Sequence, residues 1–383
     1  MKAGCWLLVA CSRLFGKYIL LPRGSKTHAN FPCVSLWRSL VTASRATISS
    51  ADFFNPRGRA FAPLILILTF VLPSCRNRPD EYQRLLIFQK KCAEILGTRS
   101  GAILVMNPRS GLVLALINEK LGVQSSTRPG STFKLVTALA LVKNGIVRST
   151  DQLICNGQVD IRGKTYRCWL REGHGEQNLL QALANSCNVY FYQAGEKLAT
   201  EKLKAMARRL HLGDCTGINL ANENCGALPE WVSDDERINF TVGQARALAV
   251  TPLQMLSMIS ILANGGVNYR LFYPNTPQEH ETFRSELKET FHFGDELRIV
   301  REGLRQSVAY GTSAAAKLPE VAIAGKTGTS SAYFGNKTDA WFAGFAPFEK
   351  PEIAVVIFLE NGRGALDAAP MAREVLKNYF VSF

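Results

Sequence analysis

Metal-ligand spacing is missing from this sequence. Its five histidines, at positions 28, 174, 211, 280 and 292, form no motif, and neither Cys155/Cys168 nor Cys215/Cys225 stands at the interval of a zinc-binding pair. No metal and no cofactor is therefore expected. Acidic residues are missing from one end: residues 1–51 contain no Asp or Glu and are rich in Arg, Ser and Thr. Residues 1–60 hold nine Lys/Arg against the single acid Asp52, so they carry +8 of the net +14. The basicity is local to an N-terminal extension, which argues against a nucleic-acid partner. No internal repeat or low-complexity tract appears. An apolar content of 47% and a charged content of 20% are ordinary for a globular chain, and 383 residues suffice for one large domain with extra segments, or for two.

A long hydrophobic run is also lacking. Arg57 and Arg59 precede an uncharged stretch, Ala60 to Leu72, whose thirteen residues are too few to cross a bilayer comfortably. The length suits the apolar core of a secretory signal. Leu72-Pro73-Ser74-Cys75 resembles a bacterial lipoprotein cleavage box, with Pro73 atypical there, and an uncleaved membrane anchor is the alternative. Both imply export. Residues 1–59 read as a targeting or disordered extension; an organellar transit peptide and an over-extended reading frame share that composition. Export makes the cysteines beyond position 75 candidates for disulfides; Cys155/Cys168 and Cys215/Cys225 each bracket a short polar loop containing Gly, as a hairpin staple would, and a Cys155–Cys168 bond around the Gly163 loop is predicted.

What is present is organised around Arg128-Pro129-Gly130-Ser131-Thr132-Phe133-Lys134 and the apolar run Leu135–Val142. Turn chemistry at Pro129-Gly130 and the stop at Asn144-Gly145 predict a buried helix with Ser131 in its first turn. Lys134, three residues on, shares that helix face. Serine is a nucleophile only when a base takes its proton, and lysine is a base only when burial or a nearby cation lowers its pKa. A helix start adds unpaired N–H groups for an oxyanion. The second Ser-x-x-Lys, Ser285 to Lys288, lies in a charged run and reads as a solvated face.

The rest of the chain supplies a frame. Residues 76–79 read as a tether and Asp80–Leu96 as an amphipathic helix. Gly101–Met106 and Leu112–Ile117 read as a hairpin, and Cys155–Cys168 as a small β excursion. Helices are expected at Leu179–Ala184, from Val189, at Thr200–Leu210, at Pro252–Ala263 and at Asp295–Tyr310; residues 268–295 carry no pattern. Val321–Thr327, Ala340–Phe345 and Ile353–Leu359 read as strands, before a closing helix at Ala368–Tyr379. Strands at both ends imply an α/β fold: one antiparallel sheet built from both ends of the domain and flanked by helices, with a mostly helical insertion. Two clusters remain. Ser186-Cys187-Asn188 offers a hydroxyl and an amide on an interhelical turn. Lys326-Thr327-Gly328-Thr329 offers a cation and two hydroxyls at a strand end, with Gly328 leaving room for a substrate backbone.

Ser-x-x-Lys, Ser-x-Asn and Lys-Thr-Gly, in this order, form the signature of penicillin-binding proteins and serine β-lactamases. The match is wider. Pro129–Lys134, Gly173-His174-Gly175, Gly243-Gln244, Thr251–Gln254, Ala263–Gly266 and Trp341–Phe345 resemble a class B penicillin-binding protein transpeptidase domain over residues 100–380. That resemblance implies Ser131, Lys134 and Ser186 as catalytic residues and Asn188, Lys326, Thr327, Gly328 and Thr329 as substrate-binding ones. It implies a D-Ala-D-Ala stem peptide of peptidoglycan as substrate, β-lactams as covalent inhibitors, and a membrane-held domain facing the periplasm or exterior, lipid-anchored if Cys75 is cleaved. D,D-carboxypeptidase, β-lactamase and a non-enzymatic β-lactam sensor are the alternatives. His174 is expected to be a structural loop residue, Cys187 a packed small side chain, and Trp341, Phe342 and Phe345 core. Two departures stand out. The family's large preceding module is reduced here to a tether and helix, which puts the docking of partners in doubt, and its Gly-Gln-Gly appears as Gly243-Gln244-Ala245.

Overall fold

The computed structural model describes residues 80–230, 233–331 and 337–382. The extension 1–59 and the segment 60–75, with Cys75, lie outside the described residues. The first helix among the described residues, α1 (Glu81–Leu96), starts where the Asp80 carboxylate accepts from the Gln83 N–H at 2.7 Å and stops at Gly97. It leads into the hairpin β1 (Gly101–Met106) and β2 (Val113–Ile117). A 3-10 turn, Gly130–Phe133, opens α2 (Lys134–Lys143). Two small ribbons follow, β3 (Leu153–Cys155) paired with β6 (Gly175–Gln177) and β4 (Gln158–Ile161) with β5 (Lys164–Arg167). Then come α3 (Leu179–Ala184), α4 (Asn188–Glu196), α5 (Thr200–Arg209) and α6 (Pro252–Ala263). The stretch without a sequence pattern folds as a ribbon of β7 (Val267–Tyr269) and β8 (Leu287–Thr290). The chain closes with α7 (Asp295–Ala309), β9 (Ala324–Ser331), β10 (Thr338–Ala346), β11 (Ile353–Leu359) and α8 (Ala369–Ser382).

The sheet runs β2-β1-β11-β10-β9 and is antiparallel, so the first strand lies beside the last, with Gly101 opposite Leu359 and Met106 opposite Ala354. This is the architecture expected of strands at both ends of a domain. Side-chain alternation splits the core. Ile103, Val105, Val355 and Ile357 face α1 and α8, whereas Ala102, Leu104, Val356 and Phe358 face the helical insertion. Because both faces are covered, β1 and β11 are buried throughout and read as unbroken apolar runs. On the inner face α6 is buried at every position, as a helix apolar on all sides must be.

Two expectations need correction here. The apolar run predicts a strand over Val321–Thr327, but β9 runs from Ala324 to Ser331, so the Lys-Thr-Gly triplet sits within the strand and not at its end. Cross-strand pairing decides this: Ser331 lies opposite Thr338, and the ladder to β10 carries the strand through Gly, Ser and Thr residues of weak apolar signal. The Cys155–Cys168 disulfide is not formed. Both are free buried thiols, and the bonded pair is Cys215–Cys225.

The helix α1 is part of this core, with Leu85, Phe88 and Cys92 packed against the sheet and α8. Phe88 is fully buried, and Phe88→Ala should lower the unfolding free energy by about 3–5 kcal/mol. Denaturant titration checks this; a loss below about 1 kcal/mol would mean the helix is dispensable to the domain.

Candidate active site

Ser131 lies in the 3-10 turn at the mouth of α2, on the wall of a cavity of about 480 Å³. The turn is pinned from two sides. The Gly130 N–H donates to the Gly243 carbonyl at 3.1 Å, and Thr132 Oγ1 donates to the Pro129 carbonyl at 2.7 Å. The fit against β9 is equally tight. A Cβ on Gly328 would stand 2.9 Å from the Pro129 carbonyl and 3.0 Å from Thr132 Cγ2. Gly328 is thus required by the seating of the serine turn on the strand, a different reason from the substrate approach that its position in the sequence suggested.

Lys134 begins α2 and is wholly buried. Its Nζ donates to the Ser186 carbonyl at 2.8 Å, to Ser186 Oγ at 3.2 Å and to Asn188 Oδ1 at 2.6 Å. Burial pushes its pKa down to about 8, with the nearby Cys187 and Cys168 pulling the other way. A lysine in that range is part neutral near pH 7, which is the state a proton acceptor needs.

Ser186 and Asn188 occupy the turn between α3 and α4. Ser186 has φ +54°, a left-handed conformation that non-glycine residues seldom adopt, at a cost on the order of 1–3 kcal/mol. The turn is held by the Ser186 N–H on the Leu183 carbonyl and the Cys187 N–H on the Ala182 carbonyl. As expected, Cys187 is a packed side chain: its Sγ accepts from the Tyr190 N–H and caps α4.

The third wall is β9. Lys326 is fully buried, with Nζ donating to the Thr327 carbonyl at 2.9 Å. Burial first, and the neighbouring Lys134 second, hold its pKa well below the usual lysine range. Thr327 Oγ1 donates to Thr312 Oγ1 at 2.9 Å, and its N–H donates to Ser313 Oγ at 3.0 Å. On the same outer edge of the strand, Gln244 Nε2 donates to the Thr329 carbonyl at 3.1 Å. A strand residue presents its N–H and C=O to one side, so the Thr329 N–H projects from this edge too.

The fold therefore gathers the catalytic and substrate-binding candidates of the sequence at one place. Ser131, Ser186, Asn188, Thr327, Gly328 and Thr329 line the cavity, with Lys134 and Lys326 buried behind it. Ser285 is exposed, outside this cavity. Trp341, Phe342 and Phe345 are core, as expected. Sequence reasoning missed Thr312 and Ser313, which fix Thr327, and Trp169 and Leu366, which wall the cavity. Only the small-residue stretch Gly311-Thr312-Ser313 after α7 hinted at any of them. Ala245, where the family has glycine, is buried in the core, so the loop meets the cleft through Val242 and Gln244.

A family model described as the penicillin binding protein transpeptidase domain matches residues 101–377. The chain belongs to that family. Among curated relatives, stage V sporulation protein D of Bacillus subtilis is 30% identical over 310 residues, covering 71% of the chain and 48% of the relative. Peptidoglycan D,D-transpeptidase MrdA of Acinetobacter baumannii is 28% identical over 354 residues, covering 77% and 52%. The chain spans about half the length of these relatives. Pseudomonas aeruginosa PBP2, solved in complex with WCK 5153, superposes with a TM-score of 0.68 at 26% identity, covering 76% of each chain. Helicobacter pylori PBP2, solved with MreC, gives 0.70 at 22% identity, covering 77% of this chain and 62% of that one, a likeness of fold.

In this transpeptidase domain the buried lysine sets a pH dependence. Only the neutral amine accepts a proton, so the rate of penicillin acylation should climb as pH rises through about 8 and level off above it. Stopped-flow labelling across pH measures it. Lys134→Arg, which cannot deprotonate, should lose about 100-fold or more in rate. A pH-independent rate in the parent protein would remove Lys134 from the proton path.

Proposed function

We propose that the chain is a serine D,D-transpeptidase that cross-links peptidoglycan stem peptides through an acyl-enzyme. The observation that carries this reading is the convergence on one cavity of Ser131, the Ser186–Asn188 turn and the Lys326–Thr329 strand, with the deprotonatable Lys134, one turn after Ser131, donating to Ser186 and Asn188 from behind. Ser131 Oγ attacks the carbonyl between the two D-alanines while neutral Lys134 takes its proton. The N–H groups of Ser131 and Thr329 receive the oxyanion, an effect worth about 2.7–4 kcal/mol per donor. Ser186, helped by Lys326, relays the proton held on Lys134, whose Nζ lies 3.2 Å from its Oγ, to the departing D-alanine amine as the C–N bond breaks. Asn188 holds the substrate amide, and Lys326, Thr327 and Thr329 take the terminal carboxylate. An amine from a neighbouring stem peptide then attacks the acyl-enzyme and regenerates Ser131. β-Lactams enter by the same carboxylate contacts and stay as stable acyl groups.

One observation weighs against a β-lactamase. Fast deacylation needs a group that activates water, and among the described residues lining the cavity none is Asp or Glu. The domain works outside the membrane, delivered there by the 60–75 segment. Among the described residues no helix is long and apolar enough to cross a bilayer.

Ser131→Ala should abolish covalent labelling by a fluorescent penicillin, whereas Ser285→Ala should label normally and the parent label should persist for hours. Undiminished labelling of the Ser131 variant would refute the nucleophile, and rapid loss of the parent label would indicate a β-lactamase. Intact-mass analysis of membrane-extracted protein should find a diacylated species beginning at Cys75; a species retaining Ala60–Leu72 would instead mean an uncleaved anchor.

A further inference from the structure

Cys155, Cys168, His174 and Cys187 come from four segments: the end of β3, the loop after β5, the loop before β6 and the cap of α4. Their donor atoms all lie within 4.8 Å of one another, and the three cysteines are buried and unbonded. His174 Nδ1 stands 3.7 Å from Cys155 Sγ and 3.5 Å from Cys168 Sγ. A ring nitrogen has one proton or one lone pair in the ring plane, so it cannot serve both sulfurs well as a hydrogen-bond partner. Two sulfurs equally close to one nitrogen is the pattern of ligands around a shared ion. With bonds of about 2.3 Å to sulfur and about 2.0 Å to nitrogen, a tetrahedral ion separates S from N by about 3.6 Å.

We infer that these four side chains form a Cys3His site for a tetrahedral, thiophilic divalent ion, zinc by its ligand chemistry, with a structural role. Binding releases the protons of whichever sulfurs are still thiols and uses the Nδ1 lone pair of neutral His174. Two further observations support it. The donor loops are pressed together at glycines: a Cβ on Gly157 would lie 1.9 Å from the Arg171 carbonyl, and one on Gly173 would lie 2.1 Å from the Cys155 carbonyl. The ribbons also have almost no core of their own. From 153 to 177 the buried apolar side chains are Cys155, Ile161 and Cys168, and two-stranded ribbons are marginal without a cross-link. The spacing escapes sequence inspection because the ligands lie 13, 6 and 13 residues apart and meet only in the fold.

The site abuts the catalytic turn. Cys187 lies between Ser186 and Asn188. Cys168 lies between Arg167, whose carbonyl receives Asn188 Nδ2 at 3.5 Å, and Trp169, whose Nε1 donates to the Asn185 carbonyl at 3.0 Å while its ring walls the cavity. A bound ion would tie both strips together and hold Ser186 in its left-handed conformation. This second role, unlike the site itself, rests on the acyl-transfer reading.

The full chain, purified under reducing conditions without chelator, should hold about one zinc per chain by elemental mass spectrometry. Cobalt(II) exchange should give thiolate charge-transfer and tetrahedral ligand-field bands. His174→Ala and Cys155→Ser should lose both metal and bands, while Cys92→Ser, which removes a buried thiol on α1, should keep them. Parent protein that takes up neither zinc nor cobalt, or a mapped Cys155–Cys168 disulfide, overturns the site, as does unchanged metal content and spectrum in both variants. Stripping the ion from the parent protein should lower its melting temperature and slow penicillin acylation; unchanged acylation in the stripped protein overturns the coupling to Ser186. Failure of the zinc-loaded parent to label at all would count against the acyl-transfer reading, since the metal measurements are independent of it.

Discussion

The burial of Lys134 is the constraint on which the site depends. An ammonium wholly removed from water needs acceptors, and the fold supplies three, the Ser186 carbonyl, Ser186 Oγ and Asn188 Oδ1. Those contacts draw the turn between α3 and α4 onto the first residue of α2. The same burial that makes the contacts obligatory also lowers the lysine's proton affinity. Structure and reactivity here have one cause. Lys326, also buried, is held below the usual lysine range by that burial first and by the neighbouring Lys134 second.

The serine turn is brought to β9 by contacts at van der Waals limits. Gly328 lies against Pro129 and Thr132, while the Gln244 amide holds the free edge of β9 beside them. A strand at the end of a sheet would otherwise expose its polar groups. Here that edge becomes useful surface. It carries the Thr329 N–H, and the turn holding Ser131 packs directly against it. Rigid sheet on one side and helical insertion on the other meet at the cavity, with α6 buried between them.

The cysteines show how local spacing misleads. Cys155 and Cys168 bracket a Gly-containing loop as a hairpin staple would, yet the hairpin between them pairs Gln158 with Arg167 and leaves both sulfurs directed at His174 and not at each other. The bonded pair, Cys215–Cys225, had the same kind of signature. What separates the two cases is the third and fourth side chains, His174 and Cys187, which arrive from later segments.

The sequence by itself determined the apolar runs that become the strands of the sheet, the helix boundaries at Asp80, Gly97, Asn144 and Thr251, and the identity of the eight residues gathered at the cavity. These are local properties: apolar period, capping chemistry and short motifs are legible within a few residues of chain. Tertiary structure decided where β9 ends, because pairing with β10 and not apolar content sets its length. It decided that Gly328 serves packing, that Thr312, Ser313 and Trp169 belong to the site, and which cysteines stand together. Each of these depends on contacts between residues distant along the chain, and such contacts leave no period or spacing to read; they exist only once burial has brought the segments together.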